Sequence, residues 1–284
     1  MKFAVLGANS FTGSNLCAYL REQGDEVLEI SRPAFDLIRD LDDIVRIIRT
    51  AKPKYIVNFI AKGRVPESWN KPADWMHTNV VAHVALHDQL RHCDFIEKYV
   101  HVSTPEVYGS TGSWVKEDHP FNPSTPYAVS KAACEMSLRT FRVYGFPVVF
   151  TRAANVYGPG QTNRLIPNAI AAKRDGRKLK LEGDCLRCFV HVLDVATATR
   201  LVALKGQVGE AYHISTRHMT TIKQVVEMVG CDYESVTPRM AQDSIYALRT
   251  DKLRRLGWTD TVTLEQGINE MEAHGHRNRL VAVA

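Results

Sequence analysis

An α/β fold, a doubly wound parallel sheet followed by a smaller C-terminal lobe, is what this sequence predicts, on three observations. Short apolar runs alternate with helical stretches from Lys2 to Arg152. The first run passes straight into a glycine turn, Gly7-Ala8-Asn9-Ser10-Phe11-Thr12-Gly13. After Asn155-Val156-Tyr157-Gly158-Pro159-Gly160 the pattern loosens into loops and short segments. No internal repeat or low-complexity linker interrupts the chain.

Composition sets the outer bounds. The chain has 284 residues, enough for one large domain or two closely joined ones with ample core. A hydrophobic content of 45% and a charged content of 24% suit an ordinary globular enzyme. The net charge of +5 is mild, and its densest patch, Lys173-Arg174 to Lys180, is too small for a nucleic-acid surface. Small anions are the expected partners. No apolar run approaches the ~20 residues of a membrane span. Met1 to Leu6 is too short for a signal peptide, so a cytoplasmic enzyme is expected. Six scattered cysteines fit a reducing compartment. Cys185 and Cys188 form a C-x-x-C without a second pair, and the histidines lack ligand spacing. No metal is expected, and a redox role for that pair stays open.

The elements follow in order. Lys2 to Leu6 reads as a strand, and Leu16, Ala18, Tyr19 and Leu20 mark a helix ending at Gly24. Strand, glycine turn, helix is the context in which such a turn signals a dinucleotide. Gly7 permits the tight turn, Gly13 lets helix and strand approach, and the helix N-terminus faces a pyrophosphate. Ser10 replaces the middle glycine of G-x-x-G-x-x-G and adds a Cβ. It joins Phe11 and Thr12 as an expected cofactor contact.

Glu26 to Ile30 is a second strand, ending at Ser31-Arg32. An acid there would hydrogen-bond an adenosine ribose and select NAD; an arginine accommodates a 2′-phosphate. Arg32 therefore favours NADP, with NAD possible, and Asp36-Leu37 falls where an adenine would be met. Ile44 to Ile48 lie on an amphipathic helix. Tyr55 to Ala61 is a buried parallel strand, and Ile60, Ala61 and Lys62 border the cofactor. Pro72 to Arg91 reads as one long helix containing Asn79, Ile96 to Val102 as a helix end and a strand, and Phe146 to Arg152 as another strand.

Further on, Leu179 to Leu181 is a possible short strand. Phe189 to Val192 enters a helix reaching Leu204, and Ala211 to Ile214 is strand-like. Thr220 onward is mostly helical, with His274 to Ala284 unpatterned and expected to fray. Residues 1–156, with roughly 187–215, thus form the cofactor domain. Residues 157–186 and 216–284 form the substrate-binding lobe, and the pocket lies at the C-terminal edge of the sheet.

The chemistry centres on Thr125-Pro126-Tyr127-Ala128-Val129-Ser130-Lys131. Four residues of helix place Tyr127 and Lys131 on one face, about 6 Å apart. An ammonium beside a phenol lowers the phenol's pKa, which suits acid/base work near neutrality. The spacing alone equally describes a buried tyrosine beside a surface lysine, so the neighbouring motifs decide.

Together those motifs resemble the extended short-chain dehydrogenase/reductase family, in its nucleotide-sugar branch, from about Lys2 to Trp258. They are Gly7 to Gly13, Lys71 to Asp74 with Thr78-Asn79-Val80, and Val102-Ser103-Thr104-Pro105-Glu106-Val107-Tyr108-Gly109. Pro123 to Tyr127 with Lys131, Arg152 with Asn155 to Pro159, and Arg187 with His191 and Asp194 complete the set. The resemblance implies a Rossmann-type fold, with Thr104, Tyr127 and Lys131 as catalytic hydroxyl, acid/base and partner. It implies a nucleotide-diphosphate sugar with Asn155 and Arg187 near its diphosphate. Arg164, Leu165 and Lys180 go with it as substrate contacts, and Asn79 and Ala154 as cofactor contacts. It further implies a homodimer paired through the Thr78–Leu90 and Tyr127 helices, with Ala82, Ala85, Ala132 and Ala133 allowing close approach.

Within that branch, dehydratase-like chains carry an acidic pair or Ser-Glu after the threonine, whereas 4-epimerases carry small or neutral residues. Pro105-Glu106 points to an NDP-hexose 4,6-dehydratase, a lyase in which Glu106 removes the C5 proton. A 4-epimerase, a 4-keto-sugar reductase, a uronate decarboxylase or a non-catalytic NADP(H) sensor are the alternatives. Cys188 and His191 depart from the family's usual acidic and aromatic residues.

Overall fold

The computed structural model describes residues 1–238, 241 and 243–282, with residues 275–282 described by their backbone alone. The first half is β1 (Lys2–Leu6), α1 (Phe11–Glu22), β2 (Glu26–Ile30), α2 (Leu41–Ala51) and β3 (Tyr55–Asn58), then α3 (Val65–Ser68), α4 (Pro72–Met76) and α5 (Ala82–Leu90). It continues with β4 (Lys98–Ser103), β5 (Trp114–Val115), α6 (Pro126–Thr140) and β6 (Val148–Ala153). The second half is β7 (Asn155–Tyr157), α7 (Leu165–Arg174), β8 (Leu179–Glu182), β9 (Leu186–His191), α8 (Val192–Lys205) and β10 (Ala211–Ile214). It closes with β11 (Met219–Thr221), α9 (Ile222–Val229), β12 (Tyr233–Val236), β13 (Ile245–Leu248), α10 (Asp251–Arg255) and α11 (Leu264–Ala282).

The main sheet runs β10-β6-β4-β3-β1-β2, every neighbouring pair parallel. The chain winds one way from β1 to β2 and the other way from β3 onward. The strand order therefore reverses between β1 and β3, which opens a crevice at their C-terminal ends. Leu16, Leu20, Val195 and Val202 of α1 and α8 cover one face. Ile44, Ile48, Leu86, Leu90 and Leu138 of α2, α5 and α6 cover the other. Burying both faces is what makes these strands continuous apolar runs.

Three expectations need correction. Residues beyond Thr220 are mostly helical, in α9, α10 and α11, but not throughout: β12 pairs with β8, and β13 joins β9 and β5 in a second sheet ordered β11-β9-β13-β5. Runs of four residues are too short to show a period, and only their tertiary partners make them strands. The stretch 187–215 divides, with β9 in that second sheet and β10 in the main one. Second, α11 runs through most of the unpatterned stretch to Ala282; Val283 and Ala284 lie outside the described residues. Third, the strand expected to reach Ala61 ends at Asn58, whose side-chain oxygen accepts the Ile60 N–H at 2.9 Å and turns the chain. The helix predicted over Pro72 to Arg91 is real but widens into a π-helical turn at His77–Val81.

Candidate active site

The glycine turn comes first. Gly7 has φ +79°, and a Cβ there would lie 3.1 Å from the Ile60 nitrogen beyond β3. A Cβ on Gly13 would lie 2.4 Å from the Gly7 carbonyl oxygen, so both glycines are required by close packing. Ser10 is extended, φ −70° and ψ 156°, and its hydroxyl caps α1 by accepting the Gly13 N–H at 3.1 Å. No left-handed backbone is needed at this position, so a serine replaces glycine without strain and contributes a cap. Asn9 ties the turn to the next strand end by donating to the Arg32 carbonyl at 2.9 Å.

The Thr125 side chain caps α6, accepting the Ala128 N–H at 3.1 Å, and Pro126 opens the helix. This start delivers Tyr127 beside Thr104 at the end of β4, within hydrogen-bond reach of its hydroxyl. Ser130 donates to the Tyr127 carbonyl at 2.7 Å and accepts from Asn79 at 2.9 Å. Asn79 in turn exchanges hydrogen bonds with the Lys62 backbone, at 2.8 and 3.0 Å. One buried amide thus pins the loop after β3 to the tyrosine helix.

Lys131 is 3% exposed and turns its ammonium onto β4, donating to the Val102 carbonyl at 2.7 Å and the His101 ring at 3.4 Å. The sequence suggested that this ammonium would lower the Tyr127 pKa. Instead burial, reinforced by the Glu106 charge, pushes the phenol up, against the opposing Thr104 hydrogen bond and Arg164 charge. Desolvation outweighs Coulomb attraction when the cation is engaged elsewhere. Burial likewise pushes the Lys131 pKa down.

Two cavities meet at these side chains. A cleft of about 690 Å³ runs from Ser10, Phe11 and Thr12 past Ala61 to Thr104, Glu106, Tyr127, Lys131 and Ala154. A second cavity of about 200 Å³ shares Thr104, Glu106, Ala154 and Arg164 and adds Asn155, Leu165 and Tyr246. Glu106 and Thr104 therefore stand on the wall between them. A larger cavity, about 1160 Å³, opens elsewhere beside β10 among Arg142, Arg217 and Lys252 and includes neither the glycine turn nor Tyr127.

Other predicted residues lie outside both linings. Ser31 and Arg32 follow β2, the Asp36 carboxylate accepts the Ile38 N–H at 3.0 Å, and Leu37 is a core residue. Lys62 pairs with Asp74 at 3.1 Å. Lys180 is exposed on β8, 3.8 Å from Glu234. Arg187 stacks 4.3 Å over the Tyr246 ring, which itself lines the smaller cavity. Sequence reasoning missed Ser130, Tyr246 and His101. Ser130 was legible three residues beyond Tyr127; the other two reach the site only through sheet pairing. Cys185 and Cys188 are buried free thiols. Among the described residues no group of three or more His, Cys, Asp or Glu could hold a metal, and no helix could cross a membrane.

A parallel sheet with a glycine turn at its switch point, and a half-buried Tyr127 four residues before a buried Lys131 on the cleft wall, defines a dinucleotide-dependent enzyme. The chain belongs to the NAD dependent epimerase/dehydratase family, whose model matches residues 3–215, within the extended short-chain dehydrogenase/reductases. It is 34% identical over 258 residues to the dTDP-glucose 4,6-dehydratase of Xanthomonas campestris pv. campestris, covering 79% of this chain and 73% of that one. Its structure matches DesIV, the dTDP-glucose 4,6-dehydratase of Streptomyces venezuelae with NAD and TYD bound, with a TM-score of 0.90 and 30% identity, over 99% and 98% of the two chains. The UDP-glucose 4-epimerase of Thermus thermophilus in complex with NAD matches with a TM-score of 0.89 and 26% identity, over 97% and 99%.

Proposed function

We propose that this chain is an NDP-hexose 4,6-dehydratase, a lyase acting through a 4-keto sugar. The observation that carries this reading is the placement of Glu106 on the wall shared by the two cavities, beside Thr104. An epimerase has no need of a carboxylate there. The dinucleotide fits the longer cleft, whose glycine turn leaves no room for a Cβ at Gly13. When bound, it would supply the hydride chemistry of the reaction, acceptance at sugar C4 and return at C6.

The chain's own groups do the rest. Tyr127 takes the C4 hydroxyl proton as a phenolate, Thr104 hydrogen-bonds the same oxygen, and Lys131 supplies the positive charge that offsets the desolvation of that phenolate. The C4 ketone makes the C5 proton acidic, and Glu106 removes it. Pro105 has no proton for the departing C6 hydroxyl, so Glu106 passes on the one it has taken, or water supplies it. C5 regains a solvent-derived proton when the hydride returns at C6. Asn155, Arg164 and Leu165 hold the substrate, with Arg187 acting from behind Tyr246.

NAD is the working cofactor, since it is the one named with the solved neighbours. A preference for NADP would rest on Arg32 alone. We assign 1–156, joined by α8 and β10, to cofactor binding and the remainder to the sugar nucleotide, in a cytoplasmic homodimer. Val81, Val129 and Met136, exposed by 55%, 39% and 58% on the α5/α6 side, support that pairing. Ala82 and Ala132 are already buried within the subunit, so these larger side chains carry it. A monomer in sedimentation at micromolar concentration would sink the dimer.

The function is tested with a panel of nucleotide sugars, read by the alkali-induced absorbance of a 4-keto product. dTDP-glucose or UDP-glucose should give the 4-keto-6-deoxy sugar. Formation of a C4 epimer alone would refute the lyase.

A further inference from the structure

Lys131 carries a charge into the interior with no carboxylate on it. The nearby Glu135 is taken by Arg139, at 2.8 Å, and by both Nε and Nη2 of Arg152. What the ammonium has instead is a pair of neutral acceptors on β4, the Val102 carbonyl at 2.7 Å and His101 Nε2 at 3.4 Å. The charged and titratable groups around it are Tyr127, Cys134 and Glu135 on its own helix, His101 on β4, and His83 and His87 on α5.

The geometry constrains the state of His101. An ammonium has no lone pair, so Nε2 can only accept, and the proton of the neutral ring sits on Nδ1. That Nδ1 is buried and has no hydrogen-bond partner, which the fold tolerates at a cost. The opposite tautomer would aim an unpaired Nε2 N–H at the ammonium and so abandon the lysine. The ring is walled in by His83, His87 and Phe150, with centroids 6.0, 6.3 and 6.2 Å away. Burial and the Lys131 charge keep His101 neutral by holding its pKa well below the usual histidine range.

We propose that His101 is a positioning residue for Lys131. Its Nε2 and the Val102 carbonyl form a two-point cradle that fixes the ammonium under the cleft and leaves its third N–H for a ligand oxygen. The inference rests on the reading of Lys131 as partner of the Tyr127 acid/base.

The test compares His101→Phe, which keeps a planar ring without an acceptor, with His101→Gln, whose amide oxygen can accept. Losing an acceptor destabilises the ammonium, so Lys131 loses its charge at lower pH. In the Phe variant the alkaline limb of the kcat profile should move down by about one pH unit; in the Gln variant it should return towards the wild-type position. A Phe variant with an unmoved limb, or a Gln variant displaced as far as Phe, would overturn the proposal. Histidine 15N shifts of the wild-type protein give an independent answer, whatever the variants' folding. Protonated Nδ1 and bare Nε2 at His101 are expected, and a protonated Nε2 would refute the cradle. Lys131→Met separates the two levels. If that variant turns over normally, the reading of the site falls, while the 15N shifts still decide whether the cradle exists.

Discussion

Two buried cations lie where helix α6 packs on the main sheet, and the protein treats them oppositely. Arg152 on β6 is wholly buried and fully engaged: its Nε donates to Glu135 at 3.1 Å, its Nη1 to the Glu117 carbonyl at 2.8 Å, and further contacts reach Glu135 and Tyr108. Lys131, one turn before Glu135 on the helix, has no carboxylate and rests on a carbonyl and a neutral ring. A guanidinium with matched acceptors is a closed arrangement that locks α6 to the sheet. An ammonium held only by neutral acceptors still has interaction to offer. The first is architecture and the second is a site, and sequence distance does not distinguish them.

The sharpest way to break this contrast is to open the closed arrangement. Glu135→Leu should leave Arg152 buried without its anion and cost about 3–5 kcal/mol of stability by denaturant unfolding. A loss below about 1 kcal/mol would show the pair is not the lock described. Its pH dependence has a definite sign. Arg152 and its hydrogen bonds overcome the burial of Glu135 and hold its carboxyl below the usual range. This stabilisation is therefore present above the unfolded carboxyl pKa and lost as pH falls through the lower folded value.

At the other end of α6, Tyr127→Phe should reduce turnover on the order of a hundredfold, with dinucleotide affinity nearly unchanged, because only the proton shuttle is removed. Steady-state kinetics beside a fluorescence titration would check it. More than half of wild-type activity would remove the tyrosine from the chemistry.

Smaller effects come from the buried histidines around the two cations. Burial lowers His83 to about 4, with the Lys131 charge assisting, and His213 to about 3, with Arg152 assisting. The unfolded rings take up protons below about pH 6.5, where the folded ones do not. Each should therefore cost about 1.4 kcal/mol per pH unit as pH falls from there towards its folded value. Melting temperature should drop between pH 7 and pH 5, and a flat profile would contradict the burial of neutral rings. Weakest of all, Arg32→Asp should raise the preference for NAD over NADP by on the order of tenfold. A wild type that already prefers NAD strongly would leave Arg32 without a role.

The same contrast explains how much was legible in the sequence. The cofactor side was readable because each signal is local: Gly7 to Gly13 is a turn, Thr125 to Lys131 a capped helix start, and β1, β3 and β6 are runs buried on both faces. The pairing of Glu135 with Arg152, the turning of Lys131 onto His101, and the arrival of Tyr246 beside Glu106 depend on strand register across the chain. Nothing within a short window announces them. Ile245 to Leu248 carries no period at all, yet it forms the strand that brings Tyr246 to the cavity. The pKa of Tyr127 was misjudged for the same reason, since spacing along a helix fixes proximity but not which acceptor the ammonium chooses.

The central claim is that Glu106 makes this site a dehydratase, and Glu106→Gln in deuterated buffer tests it most directly. The amide keeps the shape but cannot accept the C5 proton. Hydride transfer should survive while deuterium entry at C5 stops, leaving reduced cofactor and a 4-keto hexose that retains its C6 hydroxyl. Full conversion to the 6-deoxy product by the Gln variant, with deuterium still entering at C5, would contradict both the role of Glu106 and the reaction assigned to the protein.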